Sequence, residues 1–150
     1  MRMFIPEIGT RIRLVADWTF PLIRERRNDT LFGPLAALIP DHIGRMEAEL
    51  QQLYEAMRVD PPGMNYPDCH ARRARMAQEA RTHVRLDLVL PAGSELTIDR
   101  LYIRKGVSDH SSISFNLIRT AHPDLQIRGR KRFWAMLEDV NRIEFDLIAQ

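Results

Sequence analysis

The sequence predicts an α+β fold. We expect a small barrel of five to six antiparallel strands, with strands over about 8–22 and 84–147. A mostly helical insertion over about 34–82 lies between the first and second strands, and the 150 residues form one domain. Three observations predict it. From Val84 onward, apolar residues recur with period two between turn signals, the pattern of half-buried strands. Within that stretch the apolar phase changes parity across Asp99-Arg100, from Leu96 and Ile98 to Leu101 and Ile103. One extra residue there, a β-bulge, bends the strand as a closed sheet requires. Upstream, Ile43, Met46, Leu50, Leu53 and Met57 recur at spacings of three and four, one stripe of a helix.

In chain order, Ile8, Ile12 and Leu14 alternate with Thr10, Arg11 and Arg13 as a first strand. Trp18, Phe20 and Leu22 continue its phase until Pro21 interrupts regular pairing. Trp18 is expected to pack against the barrel. The polar run 24–30 reads as a loop. Asp41 after Pro40 is the expected N-cap of the first helix, which Asp60-Pro61-Pro62-Gly63 stops. Its apolar stripe either packs within the chain or forms a homodimer seam through 42–57. Asp68 is the expected cap of a second helix, from Cys69 to about Ala80, with alanines on one side and Arg72, Arg73, Arg75 and Arg81 on the rest. That basic face is either simply solvated or a contact for nucleic acid or an acidic protein.

Val84 to Leu90 form the next strand, and Pro91-Ala92-Gly93 turns the chain into the bent strand from Glu95. Ile113, Phe115 and Leu117 mark another strand. A polar loop over 120–129 leads to a strand from Lys131 to Leu137. The period is ambiguous there: one phase has Phe133, Ala135 and Leu137 facing inward, with Trp134 and Met136 outside. Glu138 to Asn141 reads as one helical turn, and Ile143, Phe145 and Leu147 as the final strand. The segments LPAGSELTIDRLYI and RFWAMLEDVNRIEF, in this order, resemble the diverging turn with second strand, and the fourth strand, 3₁₀ turn and fifth strand, of SH3-like barrels. The likeness covers roughly the last 65 residues and the first strand, and it is one of topology. The chain lacks the ALYDY-type segment and the proline-recognition tyrosines of signalling SH3 domains, so PxxP binding is not implied. As a whole the chain also resembles small proteins encoded by bacteriophages and prophages. For such a protein, an accessory role or inhibition of a host defence complex is the implied setting.

Net charge is only +2, so partners must be read from local clusters. Nearly all the positive charge is arginine, with lysine only at Lys105 and Lys131. Arginine suits forked recognition of phosphate or carboxylate, although GC-rich coding produces the same bias. The single cysteine, Cys69, leaves no internal disulfide and fits a reducing compartment. No secretory signal and no membrane span are read, so a cytoplasmic protein is expected.

Catalytic and phosphate-cradling motifs are missing: there is no G-x-G-x-x-G, no P-loop, no C-x-x-C and no H-E-x-x-H. No cofactor and no metal are expected. His42, His70, His83, His110 and His122 are scattered one per segment. The cluster that stands out is Arg128-Gly129-Arg130-Lys131-Arg132-Phe133-Trp134, four cations on a hairpin leading to a tryptophan. Cations contact phosphate without reading sequence, and an exposed aromatic offers a base a stacking surface. Tyr102, Arg104 and Lys105 could extend the same surface. The expectation is therefore a non-catalytic binding protein for nucleic acid or for a complex that handles it. The alternatives are an enzyme using His/Asp acid–base chemistry on a nucleotide or nucleic acid, and an assembly protein that oligomerises through Ile43 to Met57.

Overall fold

The computed structural model describes residues 7–103, 111–126 and 128–149. Two antiparallel sheets and four helices make up the described chain. Strands β1 (Arg11–Leu14), β4 (Glu95–Tyr102), β5 (Ser112–Arg119), β6 (Arg132–Met136) and β7 (Phe145–Leu147) form a five-stranded sheet in the order β6-β5-β4-β1-β7. Strands β2 (Trp18–Ile23) and β3 (Arg85–Leu90) form a separate pair, in register from Trp18↔Leu90 to Ile23↔Arg85.

The expected first strand over 8–22 is thus two strands in two sheets. Ala16 and Asp17 lie between them, where the Asp17 carboxylate accepts the Ala92 N–H at 2.8 Å. That contact locks the first turn to the Pro91–Gly93 turn. Gly93 there takes φ +89, a conformation a Cβ disfavours. Pro21 does not end pairing, because it sits opposite Asp87 in the outer strand pair.

The helical insertion joins β2 to β3. It begins earlier than expected: the run read as a loop holds a 3₁₀ turn (Arg26–Asn28), followed by α1 (Asp29–Ala36). Helix α2 spans Pro40–Met57 and α3 spans Tyr66–Arg81. Asp41 lies in the first turn of α2 and not at its cap, because Pro40 already occupies the first helical position. Asn65 caps α3 in place of Asp68, its side chain accepting the Asp68 N–H at 2.9 Å. The apolar stripe of α2 is used inside the chain. Ile43 joins the core, Met46 and Leu50 pack against it, and α2 lies on α3.

Aromatic rings tie the strand pair to the sheet. Trp18 stacks on Phe20 with centroids 4.0 Å apart, and Phe133 lies 5.4 Å from both Phe20 and Phe115. The Trp18 indole N–H donates to the Asp139 carbonyl at 3.0 Å, fastening helix α4 (Leu137–Val140) beneath β2. The pairing of β4 with β5 slips between Ile98 and Arg100, where the parity change placed a bulge.

The sheet does not close into a barrel, which corrects the expected architecture. Its ends, β6 and β7, do not pair. The chain leaving β2 covers β6: Ile23 clusters with Trp134 and Met136, and Asn28 accepts the Trp134 backbone N–H at 2.8 Å. A side chain holds that edge position, where closure would need a strand. At the other end β7 has three residues, and Leu147 is 61% exposed.

A candidate anion-binding cleft

The 3₁₀ turn after β2 and the chain entering β6 come together at one edge of the sheet. Between them lies an open cleft of about 450 Å³ lined by Arg26, Arg27, Thr30, Arg130 and Arg132. The sequence places the cations there in two ways. Arg26 and Arg27 ride on the 3₁₀ turn, fixed from below by Asn28, whose amide donates to the Ile23 carbonyl at 2.9 Å. Arg130 and Arg132 follow Gly129, which takes φ +96 just ahead of β6.

Acidic groups offset this charge only in part. Glu25 accepts from Arg27 at 3.0 Å, and Asp99 meets Arg132 at 2.8 Å. The Arg132 side chain also hydrogen-bonds Tyr102, so its fork is shared between Asp99 and that residue. Arg26 and Arg130 are exposed, and no carboxylate pairs with them among the described residues.

Trp134 is 8% exposed, which corrects its expected outward placement. Alternation alone put it on an open face, but the chain from Ile23 to Asn28 covers that face. Its indole N–H donates to Glu25, and the Arg27 guanidinium lies 5.1 Å from its ring centroid. The same guanidinium stands 5.2 Å from the centre of Tyr102. Arg27 is therefore held by two rings and a carboxylate, while Trp134 offers no free face for a base. Arg100, hydrogen-bonded to the Tyr102 hydroxyl, draws that phenol below its usual range, and Arg132 and Arg27 act in the same direction.

A second open cleft, of about 430 Å³, lies beside the first and is lined by Thr97, Asn116, Gly129, Arg130 and Lys131, among others. Of the cations expected at the hairpin, Arg130, Lys131 and Arg132 line these clefts. Arg128 is exposed and lines neither. Arg104 and Lys105 lie outside the described residues, as does His110.

Arg72 and Arg73 belong elsewhere. Arg72 donates to the carbonyls of Ala56 and Val59, and Arg73 pairs with Asp60 at 3.2 Å, so both brace the α2–α3 connection. Arg75 is exposed on α3 and lines neither cleft. Of the seam residues, Leu53 and Met57 are half-buried and the other three pack on the chain's own core.

Arg26, Arg27 and Thr30 did not figure in the sequence reading. The Arg24-Glu25-Arg26-Arg27 run was their one signal, and only the fold carries it to β6. No protein-family model, curated protein or solved structure matches the chain. Among the described residues no group of three or more His, Cys, Asp and Glu could hold a metal. Nor is any helix among them long and apolar enough to cross a membrane.

A different cationic group lies on β1, β4 and β5. Glu95 is 2% exposed, and Arg11, Arg13 and Arg119 reach its carboxylate at 2.9, 3.0 and 2.6 Å. Arg13, then Arg119 and Arg11, hold its pKa down to about 2 from an ordinary 4.5. This carboxylate sits where Arg11 and Arg13 of β1 flank the β4 backbone, and it binds three strands together.

Proposed function

We propose that the protein is a non-catalytic binding protein that contacts the phosphate backbone of nucleic acid through this cationic edge. One observation carries the reading: Arg26, Arg27, Arg130 and Arg132, from two distant parts of the chain, line one open cleft, and among the described residues two carboxylates pair with them. Guanidinium forks match phosphate oxygens, and backbone contact needs no base readout. The burial of Trp134 favours phosphate contact without the base stacking expected from sequence.

The strand order β7-β1-β4-β5-β6, with a short helix between β6 and β7, supports an SH3-like topology left open along one side. In that arrangement the β2–β3 pair and its helices are an elaborated first loop.

The test is binding of a labelled twelve-nucleotide single strand and its duplex, followed by fluorescence anisotropy across a salt series. Electrostatic contact gives an affinity that falls as salt rises, with a log–log slope of roughly −3 for about four phosphates. Arg26→Ala should make the slope shallower by about 1. Affinity indifferent to salt, or unchanged in both Arg26→Ala and Arg132→Ala, would count against the cleft.

A further inference from the structure

The two clefts meet at Arg130, which lines both. On one side stand Arg26, Arg27 and Arg132, and on the other Lys131, with Thr97 and Asn116 as neutral hydrogen-bonding groups. At about 450 and 430 Å³, each has room for more than a bare anion. Five cations line the pair, and among the described residues Glu25 and Asp99 are the carboxylates bound to them, which leaves charge for more than one phosphate.

Resting on the nucleic-acid reading above, we propose that the two clefts receive two successive phosphodiesters of one strand, with the Arg130 side chain between them. Arg130 can reach either phosphate because it is exposed and no carboxylate among the described residues holds it. Gly129, just before Arg130, takes φ +96, where a side chain would be strained. The site counts phosphates and not bases, since Trp134 is buried and the Arg27 guanidinium lies over the Tyr102 ring.

The experiment is competition against the labelled twelve-mer at low salt, using thymidine dinucleotide with one phosphodiester, trinucleotide with two, and inorganic diphosphate. The trinucleotide should compete about tenfold better than the dinucleotide, a step larger than one added surface charge supplies. Arg130→Ala should abolish that step, and Arg45→Ala, on the exposed side of α2, should keep it. If the twelve-mer binds but the step is missing, or survives in Arg130→Ala, the two-phosphate site is wrong and the broader function stands. Diphosphate competing as well as the trinucleotide would also overturn it, showing one anion pocket. A twelve-mer that does not bind at low salt removes both proposals.

Discussion

Asn28 Oδ1 accepts the backbone N–H of Trp134 at 2.8 Å, joining positions 106 residues apart. The same side chain donates to the Ile23 carbonyl, and Asn28 is fully buried. One amide thus satisfies an edge position of β6 and the end of β2 together, and sets Arg26 and Arg27 opposite Arg130 and Arg132.

Asn28→Ala should therefore destabilise the protein by about 1–3 kcal/mol, since a buried N–H and a carbonyl lose their partner together. Guanidinium denaturation gives the value. The same variant should weaken oligonucleotide binding, because the turn carrying two of the four arginines loses its anchor. Wild-type stability in Asn28→Ala would show that water replaces the amide without penalty.

Trp134→Phe separates the two roles proposed for that residue. Phenylalanine keeps the ring against Ile23 and Met136 but cannot donate to Glu25. We expect a loss of about 1 kcal/mol in denaturation and nucleic-acid affinity within about twofold of wild type. A loss of affinity near tenfold with stability intact would restore the stacking role.

Stability should also carry the signature of Glu95. Its pKa is lowered in the folded protein from 4.5 to about 2, so its ionised form favours folding. That contribution is complete above about pH 4.5 and is lost as pH falls toward 2. Glu95→Gln leaves Arg11, Arg13 and Arg119 without their shared carboxylate and removes the pH-dependent part. Denaturation midpoints between pH 5 and 2.5 should fall more steeply for wild type than for the variant. Parallel curves would place the acid sensitivity on other carboxylates.

Much of the sheet was legible because its signals are local. Leu86, Leu88 and Leu90 alternate in β3, and the parity change at Asp99-Arg100 coincides with the slip in β4–β5 pairing. The α2 stripe was equally readable, though not its destination, since packing on one's own core and on a second copy demand the same spacing. Closure could not be read, because it depends on what covers β6. The covering chain, Ile23 to Asn28, is more than a hundred residues upstream and polar in composition. Trp134 shows the same limit: alternation says which face a residue takes, not whether another segment lies on it. The hairpin cations were visible in sequence, while their partners Arg26 and Arg27 needed the fold.

Arg72 distinguishes a basic helix that binds from one that braces. Its two terminal nitrogens donate to the carbonyls of Ala56 and Val59, both at 3.2 Å, where α2 ends and its last carbonyls lack helical partners. A cation there also complements the negative end of the helix dipole. Arg72→Ala should cost about 1 kcal/mol, or about 2–4 °C in Tm for a chain of this size. Arg72→Lys should recover less than half, since an ammonium cannot span two carbonyls as a fork does. Oligonucleotide affinity should stay at the wild-type value in both variants, because Arg72 lines neither cleft. A drop in affinity without a drop in Tm would return α3 to the binding surface.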